Sequence, residues 1–380
     1  MQPTCLARPT RPPRRLDLVP WVAATTVLLI LALVVVREVG GLLGHPLSPP
    51  VATVCATAVW WLYWGGVAFF AVAVVRRWRN TYFRWRTLST VVSQTLFGLL
   101  LGGPLKAALG VPYAWHRLHL TWPLHMSVIT PELYARHPSV FVYGVVVSLV
   151  VWPIATLFIG MRYCSWFCFC GNLAESAGDT FRTKGPKGPS SQSLDNSSYV
   201  VLVLAAVSAA LLWINITWPY EWYDGVVGFL LADVVGIGLY PVLGNRVWCR
   251  FLCPLRAMLG WFSRRGRFAI YADDQRCIEC GTCNRYCEMG IDIRLRARQG
   301  IPMRDTECVA CGACIAVCPR YALSFHPFPN AGDSLRAANG RRFRRPFKRQ
   351  LATPRGGPSA RSGSPLRDTG GPPRAKSRGG

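Results

Sequence analysis

Apolar and polar stretches alternate in long blocks over much of the chain. Apolar runs occupy residues 19–36, 51–75, 88–105, 139–160, 199–218 and 226–243. Each approaches the roughly 20 residues an α-helix needs to cross a bilayer. The pattern predicts a membrane-embedded all-α bundle of about six spans. The run at 88–105 is interrupted by Gly102-Gly103-Pro104, and a re-entrant segment there would reverse everything after it. Arg8, Arg11, Arg14 and Arg15 precede the first run and no small-residue cleavage site follows it, so it reads as an uncleaved anchor.

The polar blocks set the orientation. Loops 76–87 and 161–198 carry five and four Lys or Arg, whereas loops 37–50, 106–138 and 219–225 carry one, three and none. Positive charge stays inside, which predicts a bacterial inner-membrane protein with both termini in the cytoplasm. Four regions follow: a basic segment at 1–18, a membrane domain at 19–264, a small α+β domain at 265–328, and a tail at 329–380.

Eight cysteines near the end of the chain fall into two copies of one spacing, C-x2-C-x2-C-x3-C. The first copy is Cys277, Cys280, Cys283 and Cys287; the second is Cys308, Cys311, Cys314 and Cys318, followed by Pro319. Three thiols in seven residues suit one [4Fe-4S] cube, whose fourth thiolate comes from the other run in two-cluster ferredoxins. Cys277, Cys280, Cys283 and Cys318 are therefore expected to hold one cluster, and Cys308, Cys311, Cys314 and Cys287 the other. Structural zinc usually draws on two separated C-x2-C pairs, and a reducing cytoplasm disfavours disulfides. Residues 268–271 and 322–325 flank the repeat as short strands would. The segment resembles bacterial two-cluster ferredoxin, with Glu288 where a proline often follows the fourth cysteine.

Two further pairs follow the fourth and sixth runs: Cys164 with Cys168, and Cys249 with Cys253 before Pro254. Both read C-x3-C, which on a continuous helix puts two sulfurs on one face a turn apart. The chain thus contains two parallel hairpins, each delivering a thiol pair to the same membrane face, and such repeats often place a shared site at their interface. The four thiols are candidates for a further metal or cluster, or for a dithiol–disulfide pair, against simple packing of small residues. Cys170 is an additional candidate ligand, and Arg162, Arg246 and Arg250 lie close enough in sequence to favour thiolates. Glu175 and Asp179, just beyond, read as solvated loop charges. Cys5 and Cys55 have no partner at ligand spacing.

The C-x3-C-P motif at Cys249, Cys253 and Pro254, the membrane hairpins and the trailing two-cluster segment together resemble NapH-type membrane ferredoxins, with relatives in the NosR and CcoG groups. The resemblance covers roughly residues 50–330. It implies a quinol dehydrogenase component that moves electrons between the quinone pool and protein redox partners. The first copy departs from the motif, with Phe169 where the second has Pro254.

Quinol oxidation releases protons, so acceptors near the headgroups become candidates. His116, His119 and His125 lie in the 106–138 loop, with His137, among Tyr113, Trp115, Trp122 and Pro123. Imidazoles titrate in the useful range, although an interfacial aromatic belt accounts for the same composition. Asp233, within the sixth run, is a charge that membranes tolerate mainly for function. Other readings of the whole are an assembly factor reducing a metal ion or thiol, and a redox sensor or anchor subunit.

Composition adds little to this. With 43 Lys and Arg against 18 Asp and Glu, the net charge is +25, which invites nucleic acid as a partner. The excess sits beside the apolar runs and in residues 331–380, which hold thirteen Lys or Arg. That tail is rich in Gly, Pro and Ser and short of aromatics to stack bases. Anionic lipid headgroups are the nearer partner, and no nucleic acid is expected.

Overall fold

The computed structural model describes residues 18–42, 48–101, 121–188, 191 and 193–325. Within them, the long apolar runs become α1 (Val19–Leu42), α2 (Pro49–Trp78), α4 (Pro138–Ile159) and α6 (Ser197–Trp213), and shorter mixed segments become α3 (Thr81–Ser93), α5 (Phe169–Glu175) and α7 (Pro254–Arg265). Arg79 adopts the left-handed conformation that ends α2, and Asn80 caps α3 by accepting the Tyr82 N–H at 2.8 Å. Halfway along α4, Trp152-Pro153 interrupts the ladder because proline has no N–H, and the preceding turn, Val147–Val151, winds wider to pass it.

Four segments are long and apolar enough to cross a membrane: Val19–Val36, Pro49–Trp78, Pro138–Ile159 and Ser193–Trp213. Val150, Ile154 and Phe158 on α4 and Val200, Val203 and Val207 on α6 remain exposed, as lipid-facing side chains should. Among the described residues, the other two expected spans do not reach that length and apolarity. The first half of 88–105 continues α3, whose Thr87, Thr90 and Ser93, with Gln94 beyond, form a buried polar face; residues 102–105 lie outside the described residues. The 226–243 run belongs to a helical stretch, Trp218–Trp222 and then the wider-wound Tyr223–Gly238, where Glu221, Asp224 and Asp233 dilute its apolar character.

Part of the expected outer loop is drawn into the bundle instead. Thr121 and Tyr163 hydroxyls lie 2.8 Å apart, and Trp122 donates its N–H to Ser148 Oγ at 3.0 Å. Met126 and Val128 are buried, the latter packed on Gly144 of α4. Ser148 thus satisfies a backbone N–H that burial would otherwise leave unpaired, while Thr121 pairs the Tyr163 hydroxyl.

The ferredoxin-like segment closes on two short antiparallel strands, β1 (Tyr271–Ala272) and β2 (Leu323–Ser324), with Tyr271 opposite Ser324 and Ala272 opposite Leu323. Its internal repeat is visible in the backbone. Left-handed conformations occur at Glu279 and Ala310, at Gly281 and Gly312, and at Gly290 and Tyr321, each pair 31 residues apart, as Cys277 is from Cys308. Gly281 and Gly312 each start a short helix at positive φ, where a side chain would be strained. This segment packs directly on the helices: Tyr82 donates its hydroxyl to Ala310 O at 2.6 Å, Arg86 Nη1 to Cys311 O at 2.8 Å, and Ser165 Oγ to Val309 O at 2.8 Å. Residues 326–380, including the expected basic tail, lie outside the described residues.

Candidate metal centres and an apolar cavity

The repeated left-handed turns curl each C-x2-C-x2-C loop inward, so the thiols gather in two groups. One small cavity is lined by Cys277, Cys280, Cys283 and Cys318. A second is lined by Cys287, Cys308, Cys311 and Cys314. Each group takes its fourth cysteine from the other run. Cys280 is exposed, whereas Cys287 and Cys314 are buried. Burial pushes the Cys283 and Cys308 thiols up to about 12. Bare thiols in such places are poorly suited to ionise, and a bound iron cluster supplies the compensating positive charge. The donor sets therefore fit 4Fe-4S binding.

The C-x3-C pairs also converge, but not as two turns of one helix. Cys164 lies in the short helix Tyr163–Trp166, and Cys249 in the wide turn Trp248–Leu252. The chain then breaks, and Cys168 and Cys253 stand in extended conformation (ψ 132° and 114°) as the residues preceding α5 and α7. Pro254 enforces this at Cys253, because the residue before proline avoids the helical region. Cys168 adopts it before Phe169 without that help, so the two copies match in backbone despite differing in sequence. All four thiols are buried in one core, and each of Cys164, Cys249 and Cys253 lies close enough to the others' charges to be raised by them, on top of burial. Cys170 is hydrogen-bonded to Cys168, which pulls that thiol below its usual range, and it also lines the apolar cavity described below.

Gly171 is the hinge of the first copy. A Cβ there would fall 1.8 Å from Cys164 O and 3.2 Å from Arg246 Nη1. Since backbone cannot yield as a flexible side chain does, Gly171→Ala is expected to push α5 off Cys164 and separate Cys164 from Cys168. Iron per chain, measured on purified protein, should fall; full iron retention would show that the close approach is dispensable.

Of the three arginines expected to serve these thiols, only Arg246 does so. Its Nη1 donates to Cys249 Sγ at 3.5 Å and to Cys164 O at 3.1 Å. Arg162 instead points among the Tyr82, Phe268 and Phe325 rings, 5.3–6.0 Å from their centroids. Arg250 holds the 186–195 loop, donating to Pro186 O at 2.6 Å and pairing with Asp195 Oδ1 at 2.6 Å.

Glu175 and Asp179 are not solvated. Both are buried, at 3% and 1% exposure. Glu175 pairs with Arg182 Nη2, with Arg86 Nη1 at 2.9 Å and with Arg246 Nη2 at 2.6 Å. Asp179 pairs with Arg182 Nε at 3.0 Å and accepts the Trp78 indole N–H at 3.0 Å. Burial alone would raise the Glu175 carboxyl, but Arg182, Arg86 and Arg246 outweigh it and hold it well below the usual carboxylate range. Glu288 joins the same network, paired with Arg182 Nη1 at 2.8 Å and accepting from Asn245 Nδ2 at 2.9 Å. Donor atoms of Glu175, Glu288 and Cys311 lie within 4.8 Å of one another, but the guanidiniums already compensate this charge, so a cation has no role there. Spacing rules gave no hint of this junction, because its members come from residues 86, 175–182, 246 and 288. The one available signal was Glu288 in place of proline.

On the other side of Cys170 lies an apolar cavity of about 410 Å³ between α1, α2 and the Tyr223–Gly238 helix. Its few polar groups are Thr26, Tyr63, His125, Cys170 and Asp233. Two of the sequence candidates, Asp233 and His125, thus share one chamber. Burial lowers the His125 imidazole to about 4, so it is neutral and can accept a hydrogen bond. His116 and His119 lie outside the described residues, and His137 is exposed at the start of α4.

Comparison with known proteins finds related domains in the same regions of the chain. A family described as a 4Fe-4S dicluster domain matches residues 270–324. Another, described as a 4Fe-4S binding domain, matches twice, at 141–187 and 226–271, once for each C-x3-C copy. An uncharacterized protein of Methanocaldococcus jannaschii, MJ0749, is 29% identical over 199 residues, covering 49% of this chain and 73% of its own. The ferredoxin-type protein NapH of Escherichia coli is 27% identical over 228 residues, covering 55% of this chain and 76% of its own. YccM of Escherichia coli is 24% identical over 238 residues; the match covers 56% of this chain and 61% of YccM, less than two thirds of its length. No solved structure matches the chain. The chain is thus similar to the NapH- and YccM-like ferredoxin-type proteins and carries 4Fe-4S binding domains.

Proposed function

We propose that the protein moves electrons between a membrane quinol and protein redox partners, and that the apolar cavity is where the quinol ring sits. The cavity carries this reading. Its volume, about 410 Å³, falls in the range of small-molecule sites. Its walls come from candidate membrane helices, and Cys170 stands between it and the four buried thiols. A lipid-soluble ring with two hydroxyls matches a chamber that is apolar except for Asp233, His125, Tyr63 and Thr26.

Oxidising a quinol to a quinone removes two electrons and two protons. Asp233 is placed to accept the proton of one hydroxyl, and the neutral His125 to accept a hydrogen bond from the other, orient the ring and take the second proton as the second electron leaves. Phe169 and Val67 exclude water from the ring faces. Cys277, Cys280, Cys283 and Cys318 hold one cluster, Cys287, Cys308, Cys311 and Cys314 a second, and Cys164, Cys168, Cys249 and Cys253 a third metal centre. When bound, iron–sulfur clusters supply one-electron redox steps at potentials set by their surroundings. The arginine-rich loops put the ferredoxin segment on the cytoplasmic side of the inner membrane, where the exposed Cys280 edge faces a soluble partner.

The test is reduction of purified, air-oxidised protein by a short-chain quinol, followed by absorbance and EPR. Reduction is expected in the wild type. Asp233→Asn should slow it at least tenfold, toward the lower end of general-base effects, with the dithionite-reduced spectrum unchanged. A protein that quinol leaves oxidised, while dithionite reduces it fully, would rule out this donor.

A further inference from the structure

The charged junction between the two sets of thiols touches sulfur at both ends. Arg246 Nη1 donates to Cys249 Sγ at 3.5 Å, and Arg182 Nη1 donates to Cys311 Sγ at 3.5 Å. Two carboxylates join these guanidiniums. Glu288 places Oε2 2.8 Å from Arg182 Nη1 and Oε1 3.2 Å from Arg246 Nε. Glu175 places Oε1 2.6 Å from Arg246 Nη2 and Oε2 against Arg182 Nη2. The result is a closed ring of two arginines and two glutamates, with every side chain at most 2% exposed.

Holding two elements together does not require such a ring. Apolar side chains of similar volume would pack the same space without the desolvation cost of four buried charges. Apolar groups cannot, however, act on the electron affinity of a metal-bound sulfur. Adding an electron makes a thiolate-ligated centre more negative, and a fixed cation donating N–H to its sulfur stabilises that state. In a buried setting the effect is weakly screened. The glutamates aim each fork: with Nη2 of both arginines held by Glu175, each Nη1 gives one N–H to sulfur and the other to Glu288 in Arg182 or to Cys164 O in Arg246.

We infer that the Arg182–Glu288–Arg246–Glu175 ring sets the reduction potentials of the two centres it touches and fixes their positions relative to one another. Arg182 and Arg246 are its positioning residues, one for each centre. Glu288 takes the place of the usual proline because it is the charge shared by both. This rests on the reading that Cys164, Cys168, Cys249 and Cys253 hold iron.

The experiment is an EPR-monitored redox titration of the purified full-length protein, with dithionite and mediators as reductant so that quinol is not involved. Arg182→Lys keeps the charge but loses the fork. It should lower the reduction equilibrium of the cluster ligated by Cys311 about tenfold, a shift of about 59 mV for one electron, and leave the Cys249 centre in place. Arg246→Lys should do the converse. Glu288→Gln removes a negative charge from between them and should raise both. A wild-type measurement needs no variant to fold: with ¹⁵N-arginine incorporated, both reduced centres should show ¹⁵N hyperfine coupling through the N–H···S bonds. Iron at all three sites with unmoved potentials, or with no such coupling, overturns the ring's role alone. Absence of iron at the four membrane thiols overturns the third centre of the proposed function, and the bridging role with it.

Discussion

Replacing Cys249 and Cys253 together by alanine is expected to lower the iron content from about twelve to about eight per chain, four irons being the content of one cluster. The expectation rests on convergence. Cys249 and Cys253 come from one hairpin, Cys164 and Cys168 from the other, and all four are buried in one core. Removing two of four donors leaves an incomplete cage, and Cys170 is directed at Cys168 and the apolar cavity instead. The ferredoxin cavities are lined by eight other cysteines, so their EPR signals should persist. A dithiol–disulfide role for the pairs predicts about eight irons before and after, and a tetrathiolate zinc site predicts one zinc lost with iron constant. Unchanged iron and unchanged zinc would leave the four thiols to dithiol–disulfide exchange or structural packing.

The ferredoxin repeat was legible because cluster ligation fixes spacing within a loop of a few residues, and the left-handed pairs at 279/310 and 281/312 show that spacing in the backbone. Long apolar runs were equally readable where nothing polar diluted them. Legibility ended where side chains a hundred residues apart decide the outcome. Thr87, Thr90, Ser93 and Gln94 recur at helical spacing and mark a polar face that is buried, which hydropathy alone does not reveal. Thr121 and Ser148 tie residues 121–128 to the helices, contacts that charge counting does not reveal. Glu175 and Asp179 looked solvated because Arg182, a few residues on, cannot alone compensate two buried carboxylates. Their other counter-charges are Arg86, Arg246 and Arg77, which only the fold supplies. His125 and Asp233 were each singled out, but their common chamber is a tertiary fact.

The same counter-charges make Glu175 the most sensitive single position outside the thiols. Its two oxygens serve three guanidiniums, those of Arg86, Arg182 and Arg246, whose side chains are at most 1% exposed. Removing one partner of a buried ion pair typically costs about 3–5 kcal/mol, because the remaining charge is stranded out of water. Domains have only about 5–15 kcal/mol in hand. Glu175→Ala is therefore expected to abolish accumulation of folded, iron-loaded protein, and Glu175→Gln, which keeps the shape and one acceptor, to leave a partly loaded protein of reduced thermal stability. Arg182 retains Asp179 and Glu288, and Arg246 retains Glu288, whereas Arg86 keeps only its bond to Cys311 O, so the loss should begin at Arg86 and the Cys311 turn it holds. Thermal unfolding in detergent, followed by tryptophan fluorescence with iron release recorded in parallel, would show this order. Glu175→Ala protein that loads its iron fully and melts within a degree or two of wild type would mean that water reaches the junction and the guanidiniums are not stranded at all.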